Sequence, residues 1–600
     1  MCHMITHLLP LAQIKLETID WVIVAASILV CFIPALFYGK KSGESTSEFF
    51  ASGQSVPWWL IGISMVATTF STDTPNFVTN LIRKEGVASN WQWWAFALTG
   101  MSTVFFFARM WRRSGVLTDL EFYEIRYSGK PASFLRGFRA LYLGLFFNII
   151  IMGSVNLAAT KISGILFGFE KEQTLLVCGI ICMIFAATSG LWGVLVIDMI
   201  QFGIAMAGSF ALAYFALSQP EVGGLSGMVE KVNQINPQTL NLIPENSALL
   251  WSVFLIPLLI GWWSSWYPGA EPGGGSYIAQ RMLAAKSERD ALGGTLFFNL
   301  AHYVLRPWPW IIVGLCSMIV FPQLADIKTT FPNLNDKLLG DDIAYPAMMK
   351  LLPTGWLGLM IAGLFAAYVS TIITHLNWGS SYIVHDFYRR FIKNDASEKH
   401  YIFMGRFSTA MLMVLSAVVT IFLEDAEKNF KLILQIGAGT GALYLLRWFW
   451  WRINAWSEIT AMVASLMVAI TFAVLEKSGG PEFLMKNQLP IGVAFTTCCW
   501  VLATLLTTPT DTGILQRFYD LVRPYAAGWR PFVASSKSTV PSDDMAQAII
   551  GWVTGVGTIW LGICAIGSWL YGRNGHALIL GIGFILCSVV LLRTIKKLWT

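Results

Sequence analysis

Four ionisable side chains stand inside strongly apolar stretches of this 600-residue chain, where a bare charge is costly. Asp73 and Glu271 each lie at an interruption of an apolar segment, whereas Asp198 and Arg306 lie within continuous ones. Such residues face a cavity or a partner and mark ion or substrate pathways. Two interpretations of Arg306 stay open: it neutralises Asp73 or Glu271, or its guanidinium grips a ligand carboxylate through two hydrogen bonds.

The apolar segments that must position these charges contain helix breakers. The first runs from Trp58 to Pro75, with small polar residues before the proline. The second runs from Trp262 to Ser276 and holds two prolines and four glycines, which cannot continue a helix. Unwound backbone at membrane depth is tolerated only where it is packed in protein or lines a cavity. We therefore expect a cavity at both breaks, with a mere kink as the alternative.

The order of the apolar segments predicts an inverted repeat. Runs of suitable length occur at 19–38, 57–82, 90–109, 138–167, 175–188, 194–218, 249–268, 293–322, 355–388, 401–423, 430–448, 455–475, 489–508, 547–571 and 575–594. The broken segments are the first and sixth of ten, and an odd number of spans per half inverts the two halves in the membrane. The predicted fold is an all-α polytopic membrane protein with about 15 transmembrane helices.

The composition agrees with this fold: 55% of residues are hydrophobic, 13% are charged and the mean hydropathy is +0.59. Basic residues, Arg281 among them, concentrate in alternate loops, which predicts an outside N-terminus and a cytoplasmic C-terminus. The polar stretches are too short for a separate domain, so any function must lie within the membrane-embedded part of the chain. We expect membrane lipids as partners, no nucleic acid and no enzyme activity. The chain also lacks a phosphate-binding glycine-rich motif, which argues against direct ATP coupling.

Four stretches in order resemble the sodium:solute symporter family, which contains bacterial sodium/galactose, sodium/proline and sodium/sialic acid transporters. They are Ser47–Trp59 leading into Gly62–Thr68, Ser189–Gln201 with its Asp198, Tyr277–Ala285, and Ala344–Thr371 continuing to Asn377 and Asp386. The resemblance covers about residues 40 to 390, with weaker likeness to 450.

This resemblance implies a LeuT-like core of ten helices, in a five-plus-five inverted repeat over 57–448. The implied parts are a leading helix and linker (1–56), a first repeat (57–218), an external loop (219–248), a second repeat (249–448), and peripheral helices (449–600) with a cytoplasmic loop (508–544). It also implies a multi-pass protein of a bacterial inner membrane, either monomeric or a weak homodimer.

Sodium is the coupling ion that the resemblance implies. The family's principal sodium site falls here on the carbonyls of Ala67, Phe70 and Ala367 and on the hydroxyls of Ser370 and Thr371. Sodium is a hard cation that takes oxygen ligands, and the three residues of the later segment share one helical face. The alternative is that the two hydroxyls only bond to backbone and aid helix packing.

A second sodium site is a further candidate. Some family members use an Asp at the position of Asp198, together with hydroxyls of the eighth core helix. Thr374 matches one such hydroxyl, but Ile373 stands where another would be. Asp198 as a pathway residue, or paired with an arginine, is the open alternative.

The substrate is expected between the two breaks, in contact with Thr69, Asp73, Trp266, Glu271, Gly275, Ser276, Tyr303 and Arg306. Where sugar-transporting relatives have an Asn–Gln pair before Tyr277, this chain has Gly275 and Ser276, although its 26 tryptophans suit stacking on a sugar ring. The favoured function is sodium-coupled import of a small polar organic solute, a sugar or a related metabolite. Symport of an organic anion or amino acid, and a non-transporting sensor on the same fold, are the alternatives.

Overall fold

The computed structural model describes residues 14–42, 44–267, 269–423, 431, 433–536 and 543–599. Residues 1–13, the beginning of the expected segment 430–448 and residues 537–542 of the expected loop 508–544 lie outside the described residues. Within the described ranges the chain is built from helices and loops, and an isolated bridge pairs Val56 with Ala285.

The main helices are joined by loops, several of which contain short helical turns, such as Leu324–Thr330. The first half contains α1 (Thr18–Ser42), α2 (Trp58–Thr69), α3 (Asp73–Glu85), α4 (91–114), α5 (Gly129–Phe167), α6 (Lys171–Leu217) and α7 (Gly224–Ile235). The second half contains α8 (Ser247–Ser264), α9 (Ser276–Leu283), α10 (Glu288–Val320), α11 (Trp356–Ile392), α12 (Glu398–Phe422) and α13 (Gly441–Phe449). The remaining helices are α14 (Ala455–Lys477), α15 (Gln488–Leu506), α16 (Thr512–Val522), α17 (Met545–Leu570) and α18 (Asn574–Trp599). In the described ranges, ten helices are long and apolar enough to cross a membrane.

Both expected helix breaks are present. Phe70 ends α2 and the helical path resumes with Asp73, the first residue of α3. The described residues between Ser264 and Ser276 lie outside helices, and Gly269 is among the glycines there with positive φ. Glycine adopts this left-handed backbone at little cost, which explains why the second break is glycine-rich.

Helix α6 is one uninterrupted helix from Lys171 to Leu217, where the sequence predicted two segments, 175–188 and 194–218. Its part Leu191–Leu217 is one of the ten candidate spans. Asp198 in this part accepts a hydrogen bond from Ser370 of α11, and Cys182 in the earlier part belongs to the same buried cluster as Tyr368 of that helix.

Close contacts of small residues hold the core helices together. A Cβ at Gly363 of α11 would lie 2.9 Å from Cα of Ala205 in α6, so only glycine permits this approach. Membrane helices associate mainly through such packing. The leading helix is tied to the core by Asp20, whose Oδ1 accepts the amides of Gly355 at 2.7 Å and Gly358 at 2.8 Å at the beginning of α11.

Candidate functional site

A cavity opens where the two breaks meet. Its polar lining includes Thr69, Ser71, Asp73, His302, Arg306 and His375, and its aromatic lining includes Trp93, Phe96, Tyr267, Tyr277 and Tyr303. A π-helical turn at Ala301–Leu305 in α10 brings His302 and Tyr303 to this cavity. Such turns rotate side chains out of the regular helical register and are frequent at functional sites.

Arg306 forms hydrogen bonds to the end of α2 at the first break. Its Nη1 donates to the carbonyl of Val66 at 3.2 Å and to Oγ1 of Thr69 at 3.0 Å. The guanidinium also lies 5.1 Å from the ring centroid of Trp310, and the residue is only 1% exposed. A cation at this position satisfies carbonyls at the C-terminal end of α2.

The ion pair that one of the two interpretations of Arg306 predicted is absent from the described structure. Neither Asp73 nor Glu271 has a carboxylate oxygen within 4.0 Å of an Arg306 nitrogen. The sequence interpretation overlooked a third role for the guanidinium, because an unwound helix end offers carbonyl acceptors that only the tertiary structure brings to Arg306.

At the candidate second sodium site, a positively charged side chain, Arg281, lies beside Asp198. Arg281 is fully buried, with a guanidinium nitrogen 3.8 Å from Oδ2 of Asp198. Its Nη2 donates to Oγ1 of Thr374 at 2.8 Å, and its Nε donates to Oγ of Ser64 at 3.2 Å. The assignment of Arg281 to a cytoplasmic loop was therefore wrong, and the open alternative, Asp198 paired with an arginine, matches this geometry.

The two hydroxyls expected at the principal sodium site reach across to other helices. Oγ1 of Thr371 donates to the carbonyl of Thr68 at 2.9 Å, and Oγ of Ser370 donates to Oδ1 of Asp198 at 2.6 Å. The Thr371 bond to a backbone carbonyl of another helix fits the packing alternative, whereas Ser370 bonds to a carboxylate. The described contacts bring together a backbone carbonyl, two hydroxyls and a carboxylate, which are oxygen donors of the kind that a hard cation takes.

The expected carbonyl ligands lie around the same place. Ala67 and Phe70 belong to the end of α2, where the Ala67 carbonyl accepts the Phe70 amide at 3.0 Å. Ala367 is buried in α11, one turn before Thr371. The sequence spacing and the first break together bring these residues to one region.

Four of the eight expected substrate contacts line the main cavity: Thr69, Asp73, Tyr303 and Arg306. Trp266 does not, because its ring packs against Phe147 at 5.1 Å and faces a separate cavity beside Arg139. Glu271 lines a neighbouring small cavity.

Gly275 and Ser276 also lie away from the main cavity. The Ser276 amide donates to Oδ2 of Asp119 at 3.1 Å, and a Cβ at Gly275 would contact the side chain of Glu271 at 3.4 Å. The irregular backbone of the second break decides which residues Gly275 and Ser276 contact, and no periodic sequence pattern predicts these contacts.

Aromatic residues of α4 and α13 contact the second break. Nε1 of Trp111 donates to the carbonyl of Gly273 at 2.8 Å, and Trp111 packs edge-on against Trp448 with 4.9 Å between ring centroids. Arg447, next to Trp448, pairs with the buried Glu458 at 3.3 Å. The aromatic stretch 446–458 thus has a structural role, because its Trp448 packs against Trp111, which hydrogen-bonds to the second break.

Sequence reasoning missed several lining residues. His302 lies four positions before Arg306 on one helix, a spacing that places both side chains on one face and was a usable signal. His375, whose Nδ1 lies 2.7 Å from Oδ1 of Asn148, carried no such signal.

A helical membrane bundle whose two broken helices meet at a polar cavity defines a secondary transporter. The sequence profile described as "Sodium:solute symporter family" matches residues 49–468, and the chain belongs to this family. It is accordingly a transporter and not an enzyme, and sodium is its coupling ion.

Individual relatives agree with this assignment. The sodium/glucose cotransporter of Vibrio parahaemolyticus is 26% identical over 495 residues, covering 79% of this chain and 87% of the relative. The sodium/myo-inositol cotransporter of Bos taurus is 27% identical over 558 residues, covering 85% of this chain and 74% of the relative.

A solved structure confirms the fold. A Na⁺-coupled sialic acid symporter in a substrate-bound outward-open state superposes with a TM-score of 0.66 at 18% identity, covering 83% of this chain and 99% of that one. The all-α, LeuT-like fold class is therefore as expected.

Proposed function

We propose that this chain is a sodium-coupled secondary active symporter that imports a small polar organic solute, a sugar or related polyol, by alternating access. The observation that carries the proposal is the cavity between the breaks, which is lined by the aromatic residues Trp93, Tyr267 and Tyr303 together with hydrogen-bonding groups such as Asp73. Aromatic faces with a few placed polar groups suit a ring that carries hydroxyls. Glucose and myo-inositol, named for two of the relatives, belong to this chemical class.

The proposed sodium site consists of the carbonyls of Ala67, Phe70 and Ala367 with the hydroxyls of Ser370 and Thr371. The donor chemistry fits the ion, since all five of these groups are oxygens. Thr371 joins α11 to the end of α2 through Thr68, so a sodium ion here would bind both elements at once. We propose one sodium per cycle, because Arg281 already provides the cation at the second place.

A carboxylated solute, such as an organic anion or amino acid, is the second candidate. It is favoured by Nε of Arg306, which is buried without a hydrogen-bond partner in the described structure. It is disfavoured by Nη1, which is already bonded to Val66 and Thr69.

The proposed setting is a bacterial inner membrane, with the N-terminus outside and the C-terminus in the cytoplasm. We further propose a monomer or weak homodimer in contact with lipid, and the division into two five-helix repeats and peripheral helices given above. The bias of basic residues between alternate loops supports this orientation.

The test is uptake of radiolabelled solutes into proteoliposomes, with and without an inward sodium gradient. The panel contains hexoses, polyols, sugar acids and amino acids. Sodium-dependent accumulation of a neutral sugar or polyol is the expected result. Accumulation of carboxylated solutes alone would favour the second candidate, and no accumulation of any solute would favour the sensor.

A further inference from the structure

A second, smaller cavity lies beside the main one and contains a carboxylate. Its lining includes Glu271, Asn299, Thr103 and Thr295, and it shares Gly269 and Ala270 with the main cavity. Glu271 is 3% exposed and belongs to the second break. The mechanism proposed above gives this carboxylate no role.

Glu271 makes no hydrogen bond or ion pair in the described structure. Both of its carboxylate oxygens are buried without a hydrogen-bond partner. Three donors are close by, the hydroxyl of Ser276 and the backbone amides of Glu271 and Gly269, but none reaches hydrogen-bond geometry with either oxygen. In the described residues, no lysine, arginine or histidine nitrogen lies within 4.0 Å of the carboxylate.

The rest of the small cavity offers further acceptors. Nδ2 of Asn299 donates to the Thr295 carbonyl at 2.8 Å, which leaves its Oδ1 buried without a donor. The hydroxyl of Thr295 donates away from the cavity, to the Ala291 carbonyl at 2.8 Å, and that of Thr103 donates to the Thr99 carbonyl at 3.1 Å. A proton bound to Glu271 would therefore have a hydrogen-bond acceptor, Oδ1 of Asn299, in the lining of the same cavity.

The titratable groups facing Glu271 add no positive charge. They are Asp119, Tyr267 and Tyr277, which come from the loop after α4, from the break itself and from α9. Asp119 already accepts hydrogen bonds from the Ser276 amide and from Tyr382. The surroundings thus favour the neutral form of Glu271.

An isolated ionised carboxylate is strongly destabilised in a low-dielectric interior, and such a group becomes neutral instead of remaining charged. We propose that Glu271 is a proton-binding site, distinct from the sodium site, that is occupied at neutral pH in this conformation. The proton comes from the aqueous phase and binds one carboxylate oxygen, so the side-chain charge changes from minus one to zero. When the second break moves and admits water, the hydrated carboxylate releases the proton.

Infrared spectroscopy of the full chain in lipid nanodiscs tests this directly, without knowledge of the solute. At neutral pH the wild type should show a carboxylic-acid C=O band that is missing from Glu271→Gln. The matched control is Glu245→Gln, at an exposed position in the loop before α8, and it should retain the band. Replacing sodium chloride by choline chloride should leave the band unchanged.

Three results would overturn the proposal: a spectrum of Glu271→Gln identical to the wild type, the absence of the band from both, or loss of the wild-type band when sodium is added. The last would show that sodium binds at Glu271 instead of a proton. If Glu271→Gln does not fold, Glu271→Asp should shift the band without removing it, and an unshifted band would equally exclude Glu271. None of these outcomes depends on the proposed solute, so failure here is distinguishable from failure of the symport proposal.

Discussion

The guanidinium of Arg281 lies 3.8 Å from the carboxylate of Asp198 and bonds to Thr374, so a side chain supplies the positive charge that a second sodium would bring. Two cations at one buried carboxylate would repel each other strongly in a low dielectric. We therefore expect sodium-dependent uptake to follow a Hill coefficient of about one. Uptake as a function of sodium concentration measures it, and a coefficient near two would contradict the single-site proposal.

The Asp198 and Arg281 pair should behave as a coupled unit. Either Asp198→Asn or Arg281→Gln leaves one buried charge without its partner, and we expect a loss of about 3–5 kcal/mol of stability. The double variant should recover much of this loss, because both charges are gone. Thermal unfolding in detergent measures the coupling, and strictly additive losses would show that the two charges do not interact.

Removal of the expected sodium-binding hydroxyls should weaken sodium dependence. For Ser370→Ala combined with Thr371→Ala, we expect the half-saturating sodium concentration to rise at least about tenfold, equivalent to ~1.4 kcal/mol. The matched control is Ser380→Ala on the same helix, whose hydroxyl bonds to the Asn377 carbonyl of its own helix. Unchanged sodium dependence in the double variant would show that the ion binds elsewhere.

Arg306→Lys should lower stability by about 1–3 kcal/mol, because a lysine cannot make both bonds of Nη1 to Val66 and Thr69. Thermal unfolding measures this, with the exposed Arg593→Lys as control. If stability is instead normal while the Km for a carboxylated solute rises strongly, Arg306 binds the substrate and the second candidate function gains. Normal stability and normal Km together would exclude both roles.

The orientation in the membrane predicts which side each loop faces. Ser535 and Asn574 are both exposed, so a cysteine at either position is accessible to an impermeant thiol reagent. In a background with the exposed Cys498 replaced by alanine, we expect labelling at Ser535 from the cytoplasm and at Asn574 from outside. The reverse pattern would contradict the orientation drawn from the basic residues.

The membrane class, both breaks and the family follow from the amino-acid sequence alone. Apolar runs need no tertiary information to mark spans. A proline is tolerated only in the first turn of a helix, so Pro75 marks a helix start just before it, and the run of glycines after Trp266 ends a regular helix. The spacing of Ala367, Ser370 and Thr371 likewise predicts that they share one face of α11, whereas the different partners of Ser370 and Thr371, on α6 and α2, do not follow from that spacing.

The contact partners of the site residues depend on how distant helices pack together. Arg281 looked like a loop cation, yet the packing of α9 buries it beside Asp198, which lies in a different half of the chain. Trp266 and Glu271 point away from the main cavity because the path of an unwound segment has no period from which a direction can be read. Periodic patterns fix the faces of regular helices, whereas contacts at breaks depend on elements far apart in sequence.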